Sequence, residues 1–273
     1  MVVIVKFLGD DYSVPQLAFL RDVFGIIACV AVLYFTPSWK AQGRPFKMKQ
    51  WKLGMARGLM VFFARVCFYF AVINLELATA TTLAFASPLF ITALAIPVLG
   101  ERVGRWRWFA VALGFAGIVW VMKPGSDVFS WWALLPLGAA LGYSAASVFV
   151  KKMDDEVPNA LVSLYAHFGS IIVATIYLIW SQEWQPILSA VDWVLIAATG
   201  LFAGPGVLLI TAAYRGSPAP MLAPFEYFAI IYSFVFGWYF FNEAPLDRLF
   251  PGVLLIVGAG LLILWRDRVR SKP

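Results

Sequence analysis

Few side chains in these 273 residues can do chemistry, and most of those that can are embedded in apolar sequence. Arg65 lies in the run GLMVFFARVCFYF (58–70), and Tyr69 follows four positions later, so the two share one face of a helix. A guanidinium there offers two parallel donors to a carboxylate. The alternatives are that it pairs with Glu226 or snorkels outward along its aliphatic stem. Glu226, in Pro224-Phe225-Glu226-Tyr227, reads in two ways. It is a site for a substrate amine or an exchangeable proton, because desolvation favours the neutral form of a carboxyl, or it is an ion pair or hydrogen bond that fixes packing. Phe85, Tyr227 and Trp238 are aromatic rings at mid-run that suit a planar or aliphatic part of a ligand, and Ser87, Tyr143 and Ser147 add hydroxyls.

The other charged groups inside apolar runs have blander readings. Arg21 and Asp22 are adjacent, hence not expected to face each other, and are assigned to structural pairing. Arg57 is expected to snorkel. His167, the sole histidine, is in its ordinary state a group that titrates near neutral pH, but is read as a packing residue. One histidine and two cysteines, Cys29 and Cys67, leave no metal or disulfide framework. No GxxxxGK[ST] phosphate loop occurs, which excludes ATP-driven pumping by this chain. No cofactor is expected. The scattered carboxylates form no convergent catalytic cluster, and the mid-run faces are too apolar for a polar channel lining.

These residues must be positioned by elements that live in lipid. Only 13% of the residues are charged and 62% are hydrophobic, with a mean hydropathy of +0.82, whereas soluble domains carry roughly 25% charged residues. Nine runs are long enough to cross a bilayer, which takes about 20 residues: 14–36, 50–73, 77–98, 106–123, 129–151, 159–181, 190–213, 217–241 and 246–266. They do not alternate as barrel strands do. Residues 1–9 (MVVIVKFLG) are apolar but short, and read as the outer half of a further helix. Counting that stretch as span 1 makes the nine runs spans 2–10. Most of the 21 Lys and Arg fall in alternate loops, among them Lys40, Lys47, Arg102, Arg105, Lys151, Lys152, Arg215, Arg266 and Arg270. The opposite loops carry Asp10, Asp11, Glu76, Asp127, Glu183 and Glu243. The positive-inside rule puts the basic loops and the C-terminus in the cytoplasm. The net charge of +6 is therefore an insertion signal, not a nucleic-acid footprint.

The chain also repeats. PQLAFL (15–20) through Phe24-Gly25 matches PNALVSL (158–164) through Phe168-Gly169. Leu99-Gly100-Glu101-Arg102 matches Phe241-Asn242-Glu243-Ala244, and GFAGIVWV (114–121) matches VGAGLLIL (257–264). All lie about 143 residues apart. That offset spans five helices, an odd number, so the copies insert in opposite senses, an arrangement that suits alternating access. Helix breakers mark flexible points, with Pro88 in span 4, Gly204-Pro205-Gly206 in span 8 and Pro224 in span 9 read as hinges. Gly138, Gly142, Ser144 and Ser147 allow close approach of span 6 to its neighbours.

Leu75–Phe90 (LELATATTLAFASPLF), Leu99–Val103 (LGERV), Gly114–Gly117, Lys123-Pro124-Gly125, Ala223–Tyr227 (APFEY) and Gly237–Pro245 (GWYFFNEAP) resemble the EamA-type drug/metabolite transporter superfamily. The resemblance is to the branch that includes S-adenosylmethionine-type uptake carriers. It implies an all-α membrane protein, a ten-helix bundle from two inverted five-helix repeats. Residues 1–124 would form the first repeat, with a partial helix 1, and 125–273 the second. It also implies a central cavity lined by spans 1, 3, 4, 6, 8 and 9, onto which Arg65, Tyr69, Tyr143 and Glu226 would project. The expected function is secondary transport of a small amino-acid-like, zwitterionic or carboxylate-bearing metabolite across the bacterial inner membrane, with Glu226 as the proton-coupling candidate. Export of amphipathic compounds, or a non-transporting membrane role, is the alternative. The expected partners are that solute and the bilayer.

Overall fold

A computed structural model describes residues 1–41, 43, 46–99, 105–123, 130–150, 153, 157–216, 228–243 and 249–270. Among them the chain is helical and contains no strand. The helices are α1 (Val2–Leu8), α2 (Val14–Phe35), α3 (Pro37–Ala41), α4 (Trp51–Asn74), α5 (Leu77–Ala84), α6 (Ser87–Leu99), α7 (Arg105–Met122), α8 (Leu134–Val150), α9 (Asn159–Ser181), α10 (Ala190–Gly216), α11 (Phe228–Phe241) and α12 (Gly252–Arg270). Among the described residues, four helical stretches are long and apolar enough by themselves to cross a membrane: Val14–Phe35, Trp51–Asn74, Trp131–Val150 and Asn159–Ser181.

Local sequence explains the ends. α2 starts after an extended Ser13 with Pro15 in its first turn, where the missing N–H has no intrahelical acceptor to lose. α9 starts after Pro158 and stops at Gln182, whose left-handed backbone lets its N–H donate to Leu178 O. Span 4 is two helices, α5 and α6, with the break at Phe85-Ala86 just before Ser87-Pro88. α10 runs on through Pro205, which lies inside it. The short α3, in a basic loop, had no counterpart among the expected spans.

The chain divides into two compact units. Unit 1 joins residues 1–69 to 149–213, and unit 2 joins 70–148 to 214–273. Each unit therefore takes helices from both halves of the sequence.

In unit 1, α2 packs along α9, and glycines let backbones touch. A Cβ on Gly58 of α4 would overlap Ala166 O and crowd Gly169 Cα and Ser170 N of α9. On Gly200 of α10 it would lie 2.6 Å from Arg21 O and 3.1 Å from Gly25 N of α2. Gly204, one turn on, faces Ala28. The end of α2 and the start of α9 share an apolar cluster of Cys29, Leu33, Trp39, Met48, Leu161 and Leu164, with Tyr165 packed against it. At the other end the amide of Gln16 is fully buried and bonds Gln185 twice, from Nε2 to O at 2.7 Å and from the Gln185 N–H to Oε1 at 2.9 Å. On the outward face of α9, Ile176, Ile179 and Trp180 are exposed, the pattern expected of a helix whose solvent is hydrocarbon.

In unit 2, α7 packs on α12 with Gly117 and Gly252 against each other's carbonyl oxygens, and α5 packs on α11. Glu243, just past α11, accepts from Leu77 N–H at 2.8 Å, satisfying a free donor at the start of α5. Thr81 and Ser233 join their hydroxyls at 2.9 Å. Ser144 of α8 donates to Ser87 O at 2.9 Å and to Ala140 O at 2.6 Å.

Candidate functional site

The densest polar chemistry among the described residues lies in unit 1, on the carboxylate of Asp22. That side chain is fully buried and receives four donors. Arg21 Nη1 at 3.1 Å and His167 Nδ1 at 2.9 Å reach Oδ1. Arg65 Nη1 and the Ser170 hydroxyl reach Oδ2. Arg65 and Ser170 are buried, and the imidazole is 12% exposed. Three helices meet on one group: Arg21 and Asp22 come from α2, Arg65 from α4, and His167 and Ser170 from α9.

Helix geometry places these groups together. Asp22 is eight residues from the start of α2 and Arg65 nine from the end of α4. At 1.5 Å per residue the two sit about 12 and 14 Å from the same ends of oppositely running helices, close to the middle of a ~30 Å hydrocarbon layer. A charge there is costly unless paired, and a buried pair is sound only when its remaining lone pairs are also satisfied. Asp22 meets that condition. His167 can approach because Gly25 faces it: a Cβ there would stand 3.0 Å from Cε1 and 3.3 Å from Nε2 of the ring.

Arg21 and Asp22 do bond each other, contrary to the expectation from adjacency. The rule that neighbours point apart concerns Cβ directions, and the long arginine side chain folds back far enough to close the contact. Asp22 as the partner of Arg65 was not expected, since Arg65 was read as a substrate ligand, as a partner of Glu226 or as snorkelling outward. Matched depth in antiparallel spans was the usable signal.

The other expected residues fall as follows. Tyr69 is buried one turn beyond Arg65. In unit 2, Ser87 begins α6 and donates to Ala84 O at 3.0 Å, with Pro88 after it. Ser147 is exposed and donates to Tyr143 O at 2.9 Å on its own helix, while Phe85 and Tyr143 are half-buried. Trp238 is 59% exposed. In α10, Gly204 is buried and Pro205 exposed, and a Cβ on Gly206 would meet open space. Pro224, Glu226 and Tyr227 lie outside the described residues. Sequence reading also passed over Thr79 and Thr82, buried on α5 with hydroxyls that have no hydrogen-bond partner among the described residues. Just before α2, the Tyr12 hydroxyl donates to Asp192 Oδ2, in the first turn of α10, at 2.6 Å.

The arrangement is a buried network of ion pairs and hydrogen bonds within apolar helices. A model of the EamA-like transporter family matches residues 1–123 and again 130–265. An S-adenosylmethionine uptake transporter of Rickettsia prowazekii is 26% identical over 267 residues, 97% of this chain and 88% of the relative. A riboflavin transporter of Rhizobium johnstonii is 33% identical over 199 residues, 71% of this chain and 63% of the relative. The pseudopaline exporter CntI of Pseudomonas aeruginosa is 25% identical over 260 residues, 95% and 89% of the two chains. A solved crystal structure shares the fold with a TM-score of 0.66 at 18% identity, over 99% of this chain and 96% of that one. With its apolar helices and two matches to one family, the chain is an integral membrane protein, a transporter and not an enzyme, and belongs to the EamA-like transporter family.

Proposed function

We propose that the protein is a secondary carrier of the bacterial inner membrane, moving a small carboxylate-bearing or zwitterionic metabolite by alternating access between two inverted five-helix repeats, residues 1–124 and 125–273. The observation that carries this reading is the pairing of equivalent helices. α2 packs on α9 and α7 on α12, and the members of these two pairs start about 145 residues apart, close to the repeat offset, while α5 and α11, the first part of span 4 and the last part of span 9, also pack together. Gly58 of α4 meets a carbonyl oxygen and a backbone nitrogen of α9 in the way Gly200 of α10 meets those of α2, 142 residues on. Two near-equivalent halves that exchange conformations open one site to either side in turn.

In this reading Arg65, with Tyr69 one turn along, takes the substrate carboxylate, and Glu226 takes its amine or exchanges a proton. Phe85, Tyr227 and Trp238 contact the apolar part, Ser87, Tyr143 and Ser147 contribute hydroxyls, and the chain bends at Pro88, Gly204–Gly206 and Pro224. The relatives carry S-adenosylmethionine, riboflavin and pseudopaline by name. All are solutes in which polar or charged groups adjoin a larger organic framework.

The test is uptake of radiolabelled S-adenosylmethionine and riboflavin by the purified chain in proteoliposomes, with unlabelled solute inside for counterflow. Saturable flux, accelerated by internal solute and abolished in Arg65→Ala, is expected for at least one of them. Flux that rises linearly with concentration and ignores internal solute would count against a carrier.

A further inference from the structure

We infer that His167 and Asp22 form a proton-binding site whose occupancy decides whether Arg65 is held by Asp22 or released to an anionic group of the transported solute. The inference rests on the carrier reading and supplies its coupling ion and its coupling residue, on α2 and α9.

The Asp22 carboxylate is at capacity, with two donors on each oxygen: Arg21 and His167 on Oδ1, Arg65 and Ser170 on Oδ2. Of these four, only an imidazole changes charge in its ordinary range between pH 5 and 8, and His167 is the one histidine of the chain. When Nδ1 donates to Asp22, the arriving proton goes to Nε2. That edge packs against the bare Cα of Gly25.

A proton on Nε2 turns a neutral donor into a third cation on a single carboxylate. His167 then claims more of the Asp22 charge and repels both guanidinia, at contact distances where the apolar surroundings screen little. The guanidinia that lose by this are Arg21, which shares Oδ1 with the imidazole, and Arg65 of α4 on Oδ2. The linkage is reciprocal: an anion that takes Arg65 leaves Asp22 to the imidazole, which strengthens proton binding. Proton and anion therefore bind together and move together.

The neighbouring groups on each packed helix are compatible with this. From α2 the titratable and charged side chains are Arg21, Asp22 and, two turns on, Cys29, which lies within electrostatic reach of Asp22, Arg21 and Arg57. From α4 they are Arg65, Cys67 and Tyr69 near it, with Arg57 two turns back and Lys52 at the start of the helix. On α9 itself Ser170 is the polar neighbour. From α10 the described acid is Asp192, at its start, which is taken by Tyr12. Among the described residues no other carboxylate bonds His167.

Because the chain has one histidine, nitrogen NMR of imidazole-labelled protein in lipid nanodiscs reports His167 alone. Its Nε2 signal is expected to pass from the neutral to the protonated form as the sample is acidified. The Arg65 Nε signal, assigned by its loss in Arg65→Lys, is expected to shift with the same midpoint. An imidazole that stays in one state throughout, or titrates while the Arg65 signal stands still, overturns the inference. In proteoliposomes, S-adenosylmethionine uptake should rise several-fold from about pH 8 to about pH 6. His167→Gln, whose amide still donates to Asp22, should lose that rise, and a retained rise is contrary evidence. Failure of wild-type protein to move any solute tells against the carrier reading, while the NMR result decides the proton site by itself.

Discussion

At the scale of single residues, chemistry is decided by partners more than by residue type, and Tyr12 gives a case that can be titrated. Its hydroxyl donates to Asp192, and that bond, with burial and the negative charges of Asp192 and Asp11, pushes the phenol up to about 12. A folded-state value raised above the unfolded one contributes stability that is complete below the unfolded value of about 10 and is lost as pH rises through the folded one. The tie between the start of α2 and the start of α10 is therefore intact at every physiological pH and fails only between about 10 and 12. Absorbance of ionised tyrosine should show a step near the upper value that disappears in Tyr12→Phe. A titration curve unchanged by that substitution would mean the bond does not form. At this scale sequence reading singled out Arg65, because a guanidinium in an apolar run demands a reason, and it assigned Arg21 and Asp22 to structural pairing. It did not find the meeting of both arginines, His167 and Ser170 on one carboxylate. That is a property of three helices in register, and no local pattern encodes it.

At the scale of elements, what the chain needs is close backbone approach without water to drive it. Lipid is as apolar as leucine, so helices associate through packing, and small residues let them pack. Gly58 and Gly200 serve α4 on α9 and α10 on α2, and the atoms a methyl group would strike are backbone atoms and, at Gly200, the Phe24 Cβ, none of which can rotate away. Gly58→Ala and Gly200→Ala are each expected to destabilise the folded chain by about 1–3 kcal/mol, the usual cost of overpacking, measured by unfolding in mixed micelles. Gly206→Ala in the same helix as Gly200 meets open space and is expected to cost nothing or to stabilise slightly through helix propensity. Equal losses at all three positions would refute the packing argument. Most elements were legible because hydrophobic length is a strong signal: 159–181 and 14–36 agree with α9 and α2 to within a residue. The break between α5 and α6 was readable from Ser87-Pro88, though it falls just before that pair. Which helices pair was readable only through the repeat, and the division of the chain into two units that mix both halves was not. Sequence order favours neighbours, whereas here equivalent helices choose each other.

At the scale of the whole molecule, orientation is the claim on which direction of transport and proton flow depend. The basic loops bear Lys40, Lys47, Lys49 and Lys52 after α2, and Arg266, Arg268 and Arg270 at the C-terminal end, while the connection after α9 carries Glu183. Lysine and arginine near span ends resist translocation, and acids contribute little, so each basic loop independently argues for the cytoplasmic side. The two arguments must agree in parity, and they do: an even number of spans separates the loop after span 2 from the C-terminus. Thiol labelling decides the matter, and both native cysteines are buried, so an introduced thiol dominates the signal. Lys47 and Glu183 are exposed in the structure, which makes Lys47→Cys and Glu183→Cys a matched pair. In spheroplasts, a membrane-impermeant maleimide should modify Glu183→Cys at once, and Lys47→Cys only after lysis. The reverse result would invert the molecule and turn the proposed proton-driven uptake into export. Labelling of both positions in intact spheroplasts would break the span count between them, and with it the inverted relation of the two repeats.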